Sequence, residues 1–292
     1  MSTYAVTGSA SGMGAEVVAR LRAAGHDVIT VDRRDADVVA DLATSQGRDT
    51  AAREVVERAG GVLHGAVLAA GLGPVPGQEE KIAQVNYAAP VELLLAWRAA
   101  LAVGASAGES SKVVVFGSNS ASVTPGVPGV LVRSFLGGRP GTRARVVRAL
   151  GRRNAPAFVY AASKLALSRW VRRTAVQPDW AGSGIRLNVL APGAIMTPLL
   201  QGQLGGPDRR RIETFPVPVG GYGDPGRIAD WAVFMLSAPA DFLCGSVVYV
   251  DGGTDAWFRP DAWPASTPVW RIPAFLAASR RFAAQRGSGR LP

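Results

Sequence analysis

Tyr160 and Lys164, in the run Tyr160-Ala161-Ala162-Ser163-Lys164, are the side chains of this sequence best suited to moving a proton. On a helix, positions i and i+4 share one face. A free phenol titrates at about 10 and is a poor base at neutral pH. An ammonium one turn away favours the phenolate, so the pair can act as general acid and base between an alcohol and a carbonyl. Other residues could complete such a site. Ser118 follows the apolar run 112–116, and Asn86 stands in Val85-Asn86-Tyr87 within a long helical pattern. Pro192-Gly193 follows the run 185–190, with Thr197 four residues on.

A second chemistry is written near the N-terminus, in Thr7-Gly8-Ser9-Ala10-Ser11-Gly12-Met13-Gly14. A pyrophosphate needs close backbone approach, free N–H groups and the positive end of a helix. Glycines permit that approach because they carry no Cβ. Here the glycines follow a strand pattern and open a helix pattern, the context a dinucleotide turn requires. The next strand pattern ends in Asp32, whose carboxylate can accept from both ribose hydroxyls of an adenosine. It would repel a 2′-phosphate, so NAD is expected over NADP. Arg33 and Arg34 weigh the other way, since guanidinium groups suit a 2′-phosphate.

The elements that must carry these residues alternate. Short apolar runs at 4–7, 28–31, 65–70, 112–116, 185–190 and 246–250 read as strands. Helical patterns fall at 12–24, 47–59, 82–103, 160–176 and about 226–236. Continuous β-branched runs separated by helices indicate a doubly wound parallel sheet covered on both faces, a Rossmann-type α/β fold. Two stretches fall outside this rhythm. Residues 123–158 are rich in proline and glycine, with a helix-like segment at 142–150. Residues after 253 hold Trp257, Trp263 and Trp270 and a short basic amphipathic run at 275–286.

The chain has 292 residues, enough for one large α/β domain, and is 48% hydrophobic and 18% charged, which excludes intrinsic disorder. A single cysteine, Cys244, and two histidines, His26 and His64, exclude a disulfide within the chain and a cysteine- or histidine-built metal site. No leader peptide and no uninterrupted membrane-spanning apolar stretch are read, so a cytoplasmic protein is expected. The net charge of +10 is local in origin. Residues 110–178 hold twelve Lys/Arg and no Asp or Glu, while the rest of the chain carries 20 basic and 22 acidic residues. No recognition motif accompanies the arginines and glycines and prolines break the segment, so nucleic acid is not expected as a partner. Positive potential near the site mouth would select anionic substrates; arginines facing a second subunit or water are the plainer alternative.

Together these motifs, in this order from residue 4 to about 253, resemble the short-chain dehydrogenase/reductase family. The resemblance implies an oxidoreductase in which Tyr160 is the acid/base. Lys164 would bind the nicotinamide ribose and lower the tyrosine pKa, Ser118 would hold the substrate oxygen, and Asn86 would anchor a water-mediated proton path. It implies a cofactor site of Gly8, Ser11, Gly12, Met13, Gly14, Asp32, Asp41, Leu42, Ala70, Gly71, Tyr160, Lys164, Pro192, Gly193, Ile195 and Thr197, with Asp41-Leu42 at the adenine. The family's usual Asn-Asn-Ala-Gly is here Leu68-Ala69-Ala70-Gly71, and the spacing from Ser118 to Tyr160 is unusually long. Several runs look like the bacterial 3α-hydroxysteroid dehydrogenase/carbonyl reductase branch, among them Asp35 to Leu42, Ala70 to Pro74 and Thr197-Pro198-Leu199-Leu200. That branch carries a long insertion before its tyrosine, used for an unusual dimer contact.

The expected organisation is a family domain over 1–255, with an insertion at 123–158 and a substrate lid at 194–216, followed by an extension at 256–292. Met196, Leu199 and Leu200, with Leu204 and Phe215, would line an apolar pocket suited to a steroid or another bulky ketone. Arg209-Arg210-Arg211 reads as a solvated helix face. The reading that follows is an NAD(H)-dependent dehydrogenase of steroid metabolism, a homodimer or homotetramer. A 3-oxoacyl-thioester reductase is the alternative in the same chemistry, and a non-enzymatic nucleotide-binding scaffold the alternative outside it. The extension is expected to pack on its own or a neighbouring subunit rather than rest on a membrane.

Overall fold

A computed structural model describes residues 1–105, 109–206 and 209–288, with the side chains of Gln203 and Arg211 left aside. Seven parallel strands form one sheet in the order β3-β2-β1-β4-β5-β6-β7. They are β1 (Thr3–Thr7), β2 (Asp27–Asp32), β3 (Val38–Val39), β4 (Gly65–Leu68), β5 (Ser111–Phe116), β6 (Ile185–Pro192) and β7 (Val247–Val250). The six expected strands are all present. The seventh, β3, pairs only Val38 with Val31 and Val39 with Asp32, and two residues are too few to show a periodic pattern.

Helices cover both faces. On one side α1 (Gly12–Ala23) and α10 (Pro225–Leu236) enclose Val17, Leu21, Val67, Val114, Leu190 and Ile228. On the other lie α2 (Ser45–Arg58), α4 (Ala89–Gly104) and the C-terminal half of α7 (Pro140–Thr174), around Leu93, Leu94, Trp97, Val113, Leu167 and Leu187. With both faces covered, a strand packs apolar residues to either side, as Val113–Phe116 do in β5, which is buried from end to end with Ser111 and Lys112 included.

The expected helix at 82–103 is divided. A short α3 (Glu79–Ala83) leads into a wider turn of π type, Gln84–Ala88, and only then into α4. By length and apolar composition the run Glu79–Gly104 could cross a membrane. In this fold its Leu93, Leu94, Trp97 and Leu101 are buried in the sheet's cover.

The insertion is largely helical. After α5 (Ser120–Val123) come α6 (Gly129–Leu136) and the first part of α7, which breaks at Gly151 (φ 71°) before resuming toward Tyr160. Leu131, Val132 and Phe135 bury against Ile82, Ala83, Val159 and Ala162, forming a third core beside the sheet. Of the basic block, Arg143 is buried here. It donates to both Glu80 carboxylate oxygens, at 2.9 and 3.2 Å, and lies over the Phe135 ring. Arg133, Arg139, Arg145, Arg148, Arg152 and Arg153 are exposed.

In the chain α8 (Pro198–Leu204) and α9 (Arg209–Glu213) lie between β6 and α10, and beyond β7 α11 (Thr254–Phe258) and α12 (Ile272–Gly287) close it. Residues 207–208, within the expected lid, and 289–292, within the extension, lie outside the described residues. In the extension, expected to pack on its own or a neighbouring subunit, Phe258 packs on Phe215, while no residue of α12 is buried.

Candidate active site

The strand order reverses between β1 and β4, where β1's connection leaves one way and β4's the other. In an open α/β sheet this opens a crevice at the carboxyl ends of the strands. The cleft found there is lined by the expected Gly8, Ser11, Gly12, Met13 and Gly14, by Asp32, Asp41 and Leu42, and by Ala70, Gly71 and Thr197.

The turn after β1 is built for close approach. Gly8 sits at φ 70°, and a Cβ there would lie 2.6 Å from the Ala70 nitrogen. A Cβ on Gly14 would lie 2.1 Å from the Gly8 carbonyl oxygen, so the start of α1 presses directly on the turn. Ser9 Oγ is buried in the same turn with no hydrogen-bond partner among the described residues. Ser11 caps α1 by position, without a side-chain bond to the helix. Glycines at close-packed points, a helix N-terminus and an unpaired buried hydroxyl together fit a dinucleotide pyrophosphate.

Asp32 ends β2 with its carboxylate held: Oδ2 accepts from the Ala10 N–H at 3.0 Å and Oδ1 from the Arg33 N–H at 2.7 Å. The bond from Ala10 ties the group to the turn, and both oxygens keep lone pairs for ribose hydroxyls. Arg33 lines the same cleft. Across it, Asp41 Oδ1 accepts from the Ala43 N–H at 3.0 Å, and Leu42 is buried beneath.

Asn86 sits in the π turn and is 1% exposed. Its Nδ2 donates to the Leu72 carbonyl at 2.9 Å while its Oδ1 accepts from the Leu72 N–H at 2.8 Å. The side chain thus behaves as a strand neighbour, holding the segment after β4 by both backbone groups. A Cβ on Gly71 would stand 3.6 Å from Asn86 Oδ1 and 3.7 Å from Lys164 Nζ, which places these groups around one point.

Lys164 is buried, and its Nζ donates to the Phe116 carbonyl, at the end of β5, at 2.8 Å. Burial lowers its pKa to about 8. Ser118, two residues past β5, accepts the Ser120 N–H at 3.2 Å, and Asn119 N–H donates to the Pro192 carbonyl at 3.0 Å. The loop after β5 is therefore fastened to the end of β6. Burial pushes the Tyr160 phenol up, while the hydroxyls of Ser118 and Ser120 beside it draw it back. The expected lowering by Lys164 is not what the chain by itself provides. Removing the phenolate's water outweighs the neighbouring groups, and the ammonium is engaged by a carbonyl.

Pro192 and Gly193 end β6, and a Cβ on Gly193 would lie 2.7 Å from the Asp251 Cα. Ile195 bridges to Gly223 and is buried, and Thr197 N–H bonds back to the Ile195 carbonyl at 2.8 Å. Tyr160, Lys164, Pro192, Gly193 and Ile195 stand behind or beside the cleft rather than on its lining. Of the expected substrate residues, Leu199 lines the cleft and is 45% exposed, Met196 is half-buried, and Leu200 is buried in lid packing. Leu204 is half-buried, and Phe215 packs on Phe258 with ring centres 5.9 Å apart. Arg209 pairs with Glu213 at 2.7 Å on an exposed face, and Arg210 is exposed.

Three residues escape a sequence reading. Lys81 and Gln78 reach the cleft from α3 and its N-terminal turn, and no spacing announces them. Asp251 is buried, accepting from the N–H groups of Gly253 (3.0 Å) and Asp255 (2.8 Å) and from Asn119 Nδ2 (3.4 Å). The signal for it was the Asp-Gly-Gly after the last strand, which this carboxylate turns into a brace for the Ser118 loop.

A reversed-order parallel sheet with a glycine turn at its switch point, and a phenol, hydroxyl and amine beside it, defines a dinucleotide-dependent oxidoreductase class. The comparisons agree. Residues 146–255 match the family model described as Enoyl-(Acyl carrier protein) reductase, and residues 4–198 match the NAD dependent epimerase/dehydratase family. The chain is 35% identical to the 3-alpha-hydroxysteroid dehydrogenase/carbonyl reductase of Comamonas testosteroni, over 89% of this chain and 99% of that protein. It is 32% identical to the Galactitol 2-dehydrogenase (L-tagatose-forming) of Cereibacter sphaeroides, over 87% of this chain and 94% of that one. The 3-alpha-hydroxysteroid dehydrogenase of Pseudomonas sp. B-0831, solved with NADH, superposes with a TM-score of 0.82 at 39% identity, covering 89% of this chain and 99% of that chain. The chain belongs to the short-chain dehydrogenase/reductase family. Within that family it is related to the 3α-hydroxysteroid dehydrogenase/carbonyl reductases, and it is an NAD(H)-binding oxidoreductase.

Proposed function

We propose that this protein interconverts a secondary alcohol and a ketone on a bulky apolar substrate, with NAD(H) preferred over NADP(H). The observation that carries the reading is the meeting of Tyr160, Ser118 and Lys164 beside a dinucleotide cleft. Bound there, the coenzyme supplies or takes up hydride at the substrate carbon. Ser118 holds the substrate oxygen. Tyr160 gives that oxygen a proton in reduction and takes it in oxidation, at its phenolic oxygen. Lys164 holds the coenzyme ribose and, through Phe116, stays fixed to β5. Asn86 keeps the segment after β4 in place around Gly71. Asp32 accepts from the adenosine ribose and repels a 2′-phosphate.

The apolar character of the lid residues Met196, Leu199, Leu204 and Phe215 supports a hydrophobic, steroid-like substrate, as does the relation to steroid dehydrogenases. A cytoplasmic homodimer or homotetramer is the accompanying proposal. A second reading is favoured by a specific pair of observations, the exposed arginines of the insertion and the match to a carrier-protein reductase model: a 3-oxoacyl-thioester reductase.

Oxidation of NADH against a panel of 3-ketosteroids, alicyclic ketones and 3-oxoacyl thioesters, with NADPH in parallel, tests both readings. The expected result is turnover of ketosteroids with NADH, reduced about 10²- to 10⁴-fold in Tyr160→Phe, which removes only the ring hydroxyl. Turnover confined to thioesters would transfer the assignment to the second reading. Undiminished turnover in the variant would end both.

A further inference from the structure

We infer that residues 263–288 form an anchor that lies on the surface of an anionic bilayer. This segment is what the chain adds to its relatives. The family match ends at residue 255, and 89% of this chain already covers 99% of each of the two steroid dehydrogenases.

The segment is open to solvent although it is apolar. Val269 is 79% exposed, Trp270 74%, Trp263 62% and Phe275 60%, with Ile272, Leu276 and Phe282 each about half exposed. Trp257 and Phe258, at its root, are exposed as well. Surface of this size and composition on a folded protein marks an interaction site.

In α12 these side chains are ordered. At about 100° per residue, Ile272, Phe275, Leu276 and Phe282 share one stripe with the small Ser279 and Ala283. Arg281 and Gln285 lie opposite, and Arg280 flanks the stripe. Arg286, in the last turn, falls on the stripe's side, where its long stem lets the guanidinium reach back to water or a headgroup. Arg271 stacks on Trp270 at 5.0 Å just before the helix, an aromatic–cation pair suited to the headgroup level.

Charge chooses the occupant. After Asp261 the sequence holds no Asp or Glu, while Arg271, Arg280, Arg281 and Arg286 are all within the segment. An anionic lipid surface complements it. A basic amphipathic helix flanked by tryptophans lies in the plane of the bilayer interface. The sequence led to an expectation of packing on a subunit rather than on a membrane; the structure leaves the tryptophans and α12 uncovered.

The anchor's root touches the lid. Phe258 packs on Phe215, and Thr254 Oγ1 donates to the Pro216 carbonyl at 2.8 Å. Docking by α12 therefore sets the lid near the lipid surface, from which an apolar ketone would be drawn; this consequence, unlike the anchor itself, rests on the proposed function.

Flotation of the full-length protein with vesicles tests the anchor without reading activity. One set is phosphatidylcholine alone and the other contains about 30 mol% phosphatidylglycerol. The expected result is flotation with the anionic set only, lost at high salt. The pairs Arg280→Glu/Arg281→Glu and Phe275→Ser/Leu276→Ser should each lower the partition at least about tenfold, with the solution mass by light scattering unchanged. Failure of the wild-type protein to float with anionic vesicles would overturn the proposal. So would flotation indifferent to both pairs, which would assign it to the arginines of the insertion. A fall in solution mass in either pair would overturn it in favour of a second copy.

Discussion

Replacing Lys164 by methionine should abolish turnover while relieving the fold of a strain that depends on pH. The lysine is buried and its pKa is lowered to about 8 from an ordinary 10.5. In the unfolded chain the amine holds its proton to higher pH than in the folded one. Below about pH 8 it is charged in both states, and the folded state carries the full cost of a buried ammonium. At about 1.4 kcal/mol per pKa unit that cost is about 3 kcal/mol. As pH rises from 8 toward 10.5 the folded protein sheds the proton first, and the cost falls below about 1 kcal/mol by pH 10. Methionine fills the space without a charge. It also leaves the Phe116 carbonyl without its donor, a loss of about 1–3 kcal/mol that offsets part of the gain at neutral pH. The sharper quantity is therefore the slope. In urea unfolding at pH 7 and pH 10, the wild-type protein should gain about 2–3 kcal/mol relative to Lys164→Met, because the variant lacks the titrating group. Parallel curves for the two proteins would refute the reasoning, since they would mean the buried amine titrates alike folded and unfolded.

Two further substitutions probe the frame around this site. Asp32→Asn keeps an oxygen to accept from Ala10 but removes the charge, and should shift the ratio of kcat/KM for NADPH over NADH upward by about 10- to 100-fold, with Arg33 and Arg34 left to receive a 2′-phosphate. Initial rates with both coenzymes read it, and an unmoved ratio would show that Asp32 does not face the ribose. Asn86→Ala leaves the Leu72 N–H and carbonyl unpaired, and should cost about 2–4 kcal/mol in denaturant unfolding while raising KM for the coenzyme. A cost under about 0.5 kcal/mol would mean that water takes over both bonds.

Much of the site was readable because its groups are set by short spacings. Tyr160 and Lys164 are one helical turn apart, and Gly8, Gly12 and Gly14 belong to one turn, so local geometry alone brings each set together. The six apolar runs read as strands because a sheet covered on both faces demands unbroken hydrophobic segments. Lys81, Gln78 and Asp251 were not readable. Lys81 and Gln78 line the cleft without any spacing that announces them, and Asp251 and Asn119, 132 positions apart, carry no shared pattern. The break at the π turn was equally hidden, because no glycine or other helix breaker stands in Gln84–Ala88.

Sequence by itself determined the alternation of strand and helix, the phosphate-binding turn and the acid/base pair, all products of contacts between residues close in the chain. Tertiary structure decided what those parts do to one another. Burial between sheet and helices, not proximity to the tyrosine, governs the amine of Lys164 and holds up the phenol of Tyr160. Packing against α3 turned the proline- and glycine-rich insertion into a helical pair latched by Arg143 and Glu80. The same test left α12 outside the core, because a stripe of apolar side chains is buried only where the fold offers a complementary face, and no local pattern can say whether it does.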